Sequence, residues 1–249
     1  MKNIWSIFCR EVSSFFTSPL AYVLIFIFLV VVNALTFLWP GRELIESEQA
    51  ALKDYFFFYH PWVLAFYAPL LAMRTLADEH RQGTLELIST MPVRTIELVV
   101  GKFLGGFVVL VVSLLLTVSV WITVAKLGNP DPGPIIAGFL GSFLVGGTFI
   151  AVAIAVSALT RSQVICVAVS IPICLILCLI GYDPVQNFFA NSGVSSLAIL
   201  GELLASISVM PAFTDFSKGL IDVRYLFYFI SVITLCLFIT NTVLQSKRA

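Results

Sequence analysis

The chain has 249 residues, 59% of them hydrophobic and only 11% charged, against about 25% charged in an ordinary soluble domain, so it reads as a membrane protein. Its mean hydropathy is +1.03. Lys plus Arg and Asp plus Glu each total 14, which leaves no basic excess to hold nucleic acid. Five cysteines, Cys9, Cys166, Cys174, Cys178 and Cys236, show no C-x-x-C spacing and read as small apolar helix residues.

From the N-terminus, residues 1–18 place Ile4, Phe8, Val12, Phe15 and Phe16 at helical spacing, with Lys2, Asn3, Ser6, Arg10, Ser13 and Ser14 largely on the other face. That pattern predicts an amphipathic helix lying in the membrane interface. Thr17 or Ser18 can cap the following helix, and Pro19 suits its opening turn.

A helix rising about 1.5 Å per residue needs about 20 apolar residues to cross the hydrocarbon. Such runs occur at Pro19–Trp39, Phe56–Met73, Val99–Ala125, Pro134–Leu159, Val164–Tyr182 and Tyr225–Leu244, which predicts six spans in one domain over residues 1–249. The second starts between Tyr55 and Pro61, and Pro172 is expected to kink the fifth. The long apolar run is retained as the first span, because no small-residue cleavage site follows it.

With an even number of spans both termini share one side. Placing them in the cytoplasm puts nine basic residues inside (Lys2, Arg10, Arg74, Arg81, Arg94, Lys102, Arg161, Lys247, Arg248) and five outside (Arg42, Lys53, Lys126, Lys218, Arg224). The basic excess favours that orientation. No charged residue falls near the middle of any run, so the proton or ion relay that coupled carriers usually need is missing. His60 reads as an interfacial residue beside Tyr59 and Trp62.

Small residues recur every four positions in the fourth run, at Gly138, Ser142 and Gly146 and at Gly147, Ala151 and Ala155, and again at Gly101 and Gly105 in the third. Such faces let helix backbones approach closely, either within one subunit or across a dimer seam.

Between the second and third runs, residues 74–102 form the one substantial cytoplasmic loop, with short helices expected after Gly83–Thr84 and after Pro92. Asp78, Glu79, His80, Arg81 and Glu86 would set register against a partner, while Leu85, Leu87, Ile88 and Met91 supply buried contact. The outer segment, residues 183–224, contains an apolar stretch from Leu197 to Met210 that reaches only about 21 Å, so a re-entrant or interfacial hairpin is expected. Glu202 lies within it, facing headgroups or serving as an outer gate. The chain has no G-x-x-x-x-G-K-[ST] phosphate loop, no H-E-x-x-H and no G-x-S-x-G, so nothing in it supports ATP hydrolysis or an enzyme reading.

The loop residues Ala77, Asp78, Glu79, Gly83, Thr84, Leu85, Glu86, Leu87, Ile88, Thr90, Pro92 and Val93 resemble the A-D-E-x-x-x-G-T-L-E-L-L-x-T-x-P-V stretch of ABC-2-type permeases. Arg10-Glu11 followed by Ser18-Pro19-Leu20-Ala21-Tyr22-Val23 resembles the start of that family, and residues 213–231 its lead into the last span. The likeness is closest to the group associated with gliding motility and nitrous-oxide-reductase maturation. Ala212 departs from it, standing where many relatives carry a histidine.

The resemblance implies an all-α integral membrane permease of the bacterial inner membrane, multi-pass, with both termini cytoplasmic. Asp78, Glu79, Arg81, Gly83, Thr84, Leu85, Glu86, Leu87 and Pro92 would form the ATPase-coupling helix. The interface helix, through Ile4, Phe8, Arg10, Glu11 and Phe15, would be a second ATPase contact. The implied partners are a dimer of cytoplasmic ABC ATPases that binds ATP and Mg, a second permease copy or homologue, membrane lipid and, for some relatives, a membrane-anchored protein with an extracytoplasmic domain. The chain itself would carry no cofactor. The expected activity is export or force transmission driven by that ATPase. The alternative is a secondary carrier or channel that works without nucleotide.

Overall fold

In a computed structural model of the chain, the structure describes residues 2–38, 52, 56–76, 94–128, 130–190, 201 and 205–246. The described residues form helices and no strand.

Helix α1 (Lys2–Thr17) is followed immediately by α2 (Pro19–Phe37). Ser18 turns the chain between them: its backbone is extended, and its side chain accepts from the Leu20 amide while Pro19 opens α2. The cap expected from the sequence is therefore borne out at Ser18. A 3-10 turn (Phe57–Tyr59) leads into α3 (His60–Ala72), where Pro61 occupies the first turn.

The third apolar run is not one helix. It is divided into α4 (Thr95–Leu116) and α5 (Val118–Leu127), and the junction is Thr117. Neither glycine nor proline marks this break. The Thr117 hydroxyl donates back to the Leu114 carbonyl at 2.6 Å, a local bond that competes with the helix ladder.

Asp131 caps α6 (Pro132–Leu159) by accepting from the Gly133 amide. Helix α7 (Gln163–Leu179) continues through Pro172. Two eight-residue helices, α8 (Asp183–Ala190) and α9 (Met210–Ser217), precede α10 (Val223–Ser246).

Among the described residues, four helical segments are suited by length and composition to cross a membrane: α2, the α4–α5 pair, α6 and α10. Phe57–Ala72 and α7 are apolar but shorter. Helix α6 is the hub, with 78% of its apolar window buried against 22–39% for the other three. It packs against α3, α4, α7, α9 and α10. A helix covered on every side must be apolar all round, and its small residues let neighbours approach closely.

The small-residue faces are filled within the chain. A Cβ placed on Gly138 would stand 2.7 Å from the Phe57 ring, on Gly141 2.9 Å from Phe216, and on Gly146 2.5 Å from Leu110. Of the two uses the sequence leaves open for these stripes, packing inside the subunit is the one these contacts serve.

His60 needs correcting. It is fully buried rather than interfacial, because Phe56, Phe57 and Phe139 stack edgewise or tilted around its ring and its Nδ1 lies 2.7 Å from the Ser142 hydroxyl. The 3-10 turn at Phe57–Tyr59 brings Phe56 and Phe57 over it and α6 supplies Phe139, neither of which hydropathy alone registers.

Just before α9, the Val209 amide and the Ser208 hydroxyl both donate to the Leu177 carbonyl, which ties the start of α9 to the end of α7. Residues 197–200 and 202–204, including Glu202, lie outside the described residues.

A charged brace where α1 meets α4

Where α1 meets α4, two glycines remove the side chains that would otherwise hold the helices apart. A methyl on Gly101 would sit 2.7 Å from Ile7 Cγ2, and one on Gly105 2.7 Å from Glu11 Cβ. This is why a helix read from sequence as a membrane-surface element packs closely along the beginning of α4. Ile4, Ile7, Phe8, Val12, Phe15 and Phe16 are half-buried, whereas Trp5, Ser6, Cys9, Arg10, Ser13 and Ser14 are exposed.

The approach places Glu11 over Lys102. Lys102 is 1% exposed, an unusual state for lysine, and its ammonium is held on two sides. Nζ donates to Glu11 Oε1 at 3.1 Å and to the Thr75 carbonyl at 2.6 Å. Arg10 Nη2 also reaches Glu11 Oε1, at 3.2 Å. One lysine thus joins α1, the segment following α3, and α4.

The same segment is fixed again one residue later, since the Leu76 amide donates to the Ser157 hydroxyl of α6 at 3.3 Å. On the return side, Arg94 caps α4, its amide donating to Glu97 Oε2 at 3.3 Å. Both described ends of the loop are therefore tied to the helices, one through Thr75 and Leu76 and the other through α4 itself. Arg74 extends the group: its Nη1 donates to the Ser18 hydroxyl at 3.0 Å, while its Nε is buried with no acceptor among the described residues.

The coupling residues expected from sequence, Asp78, Glu79, Arg81, Gly83, Thr84, Leu85, Glu86, Leu87 and Pro92, lie outside the described residues. Of the interface-helix set, the structure turns Glu11 inward onto Lys102 and leaves Arg10 exposed. Ile4, Phe8 and Phe15 stay on the packed face.

Sequence reasoning missed Lys102, Thr75 and Ser157, counting Lys102 only as a cytoplasmic charge. A signal was present: a lysine lodged between Gly101 and Gly105 at the start of an apolar helix requires a close neighbour bearing a carboxylate.

Among the described residues no group of three or more His, Cys, Asp or Glu could hold a metal ion. Cys166, Cys174, Cys178 and Cys236 are buried, whereas Cys9, on α1, is exposed. In folded protein a maleimide should therefore label Cys9 to completion and the other four at background, as read by intact mass.

No curated protein matches the chain. The family model for ABC-2 family transporter proteins matches residues 5–193, which takes in the brace, the loop and the hub helix α6. This chain belongs to the ABC-2 transporter family.

Proposed function

We propose that the chain is the permease subunit of an ATP-binding-cassette exporter, and that residues 77–93 receive force from a separate ATPase and pass it through the Lys102 brace. The observation that carries this reading is the double anchoring of the loop. Thr75 and Leu76 are bound to α4 and α6 on one side, and Arg94 begins α4 on the other. A push on the loop would then move α1, α4 and α6 together rather than being absorbed by slack chain.

Six crossings fit this picture, with α3 and α7 as the short ones. Phe57–Ala72 and α7 each rise about 24–26 Å, a few Å less than the hydrocarbon core, a mismatch that local bilayer thinning accommodates at modest cost. Both termini are cytoplasmic in this proposal, the membrane is the bacterial inner membrane, and α1 lies in its inner interface. The segment containing Glu202 forms the re-entrant outer hairpin. Two copies of the chain, or one copy and a homologue, would face an ATPase dimer, and the gliding-motility and nitrous-oxide-reductase-maturation group is the closest setting within the family.

Two measurements test this. Glu79→Ala combined with Glu86→Ala should lower permease-stimulated ATP hydrolysis about tenfold in the reconstituted complex while membrane insertion is unchanged. Full stimulation would remove the loop from the coupling path. For orientation, a Ser47→Cys variant in intact cells should react with an impermeant thiol reagent, and Cys9 should react only in inside-out vesicles; the opposite pattern would reverse the topology.

A further inference from the structure

Beside the brace lies a cavity of about 300 Å³ whose polar wall is made by Arg10, Glu11, Ser14, Ser18, Arg74 and Lys102. Among the described residues, three cations and one carboxylate face the same space. Glu11 is already engaged by Lys102 and Arg10, so its charge offsets them first. Arg74 has no carboxylate partner among the described residues; it holds only the Ser18 hydroxyl through Nη1, and its Nε is buried with no acceptor. A half-buried guanidinium with an unsatisfied donor is costly, and an anionic oxygen such as that of a phosphate fits its planar fork.

A second feature lies one helical turn further along α2. Leu24, Ile27, Val31 and Leu35 of α2 and Phe66 and Leu70 of α3 line a groove of about 390 Å³ with an almost wholly apolar wall. The two spaces share a helix face. Leu20, in the cavity wall, stands one turn before Leu24, and Arg74 stands four residues beyond Leu70, just past the end of α3. From Leu24 to Leu35 the helix rises about 16 Å, close to one leaflet of a hydrocarbon core about 30 Å thick.

We propose that this crevice is a binding site for one anionic glycerophospholipid of the leaflet on the N-terminal side, its phosphate in the Arg74 cavity and an acyl chain along the α2–α3 groove. The charge of the cavity, the orphaned Nε and the leaflet-length apolar groove joined to it each match one part of that molecule. A second copy of the chain seated on the groove would match the apolar part alone. The site does not depend on the loop's proposed coupling role.

The test uses the delipidated full chain in detergent, with retention read by native mass spectrometry. Phosphatidylglycerol and phosphatidylcholine with identical chains are supplied separately, and inorganic phosphate is added as competitor. Phosphatidylglycerol should be held about tenfold more tightly, and millimolar phosphate should not displace it. Arg74→Gln should abolish the preference, and Arg10→Gln, at an exposed position, should reduce it about threefold should the first variant fail to fold. Ile27→Trp, which crowds the groove, should weaken both lipids equally and leave the headgroup preference intact.

Equal retention of the two lipids by the unmodified chain, any preference left in folded Arg74→Gln, or an undiminished preference in folded Arg10→Gln would overturn the proposal. So would displacement by phosphate alone, which would make this an anion site, or efficient Ile27→Cys disulfides between copies, which would make the groove a subunit seam.

Discussion

Lys102→Met will destabilise the folded chain by about 3 kcal/mol, because it strands a carboxylate and a carbonyl that the ammonium now satisfies. Glu11 is 13% exposed at its side chain and, among the described residues, its carboxylate pairs with Lys102 and Arg10, and the Thr75 carbonyl receives its bond from the same Nζ. Glu11→Gln should cost less, since an amide oxygen still accepts from Lys102. The double variant should lose about 1–2 kcal/mol less than the sum of the two, the signature of residues in direct contact. Unfolding by SDS titration in mixed micelles reads all three. Strict additivity would mean that the pair contributes nothing as a pair. Because the brace also fixes Thr75, Lys102→Met should in addition uncouple ATP hydrolysis from the permease, a loss that the Gln variant would show only weakly.

Two glycine substitutions should act with opposite sign. Gly138→Ala puts a methyl 2.7–2.8 Å from three atoms of the Phe57 ring, and that ring is buried among Phe56, Phe139 and His60 with little room to withdraw. Overpacking of this kind costs about 1–3 kcal/mol. Among the described residues Gly106→Ala meets only Ile150 Cγ2 at 3.7 Å, an ordinary contact, so the helix-propensity gain of up to about 1 kcal/mol should prevail and the variant should be more stable. The same titration decides both. If the two variants changed stability in the same direction, the close packing of Phe57 on α6 would not be what selects glycine at position 138.

Long uncharged runs determine by themselves that this is an all-helical membrane chain, since a segment without charges cannot be solvated as a loop and in lipid must bond its own backbone. Ser18-Pro19 likewise fixes the turn between α1 and α2, because a cap and a first-turn proline act within a few residues of themselves. The loop motif and the N-terminal pattern were also legible, and the family match over residues 5–193 agrees with them.

Tertiary structure decided what these local signals leave open. Hydropathy treats Val99–Ala125 as one run and cannot see the Thr117 hydroxyl turning back on Leu114. Helical periodicity puts Glu11 on α1 but says nothing of Lys102, 91 residues away, and only the absence of side chains at Gly101 and Gly105 lets the two meet. His60 shows the same limit: its sequence neighbours Tyr59 and Trp62 suggest an interface, whereas Ser142 and Phe139, contributed by α6, bury it. Charge pairs and buried rings are settled by which helices pack together, and that choice depends on small residues distant in sequence from the groups they bring into contact.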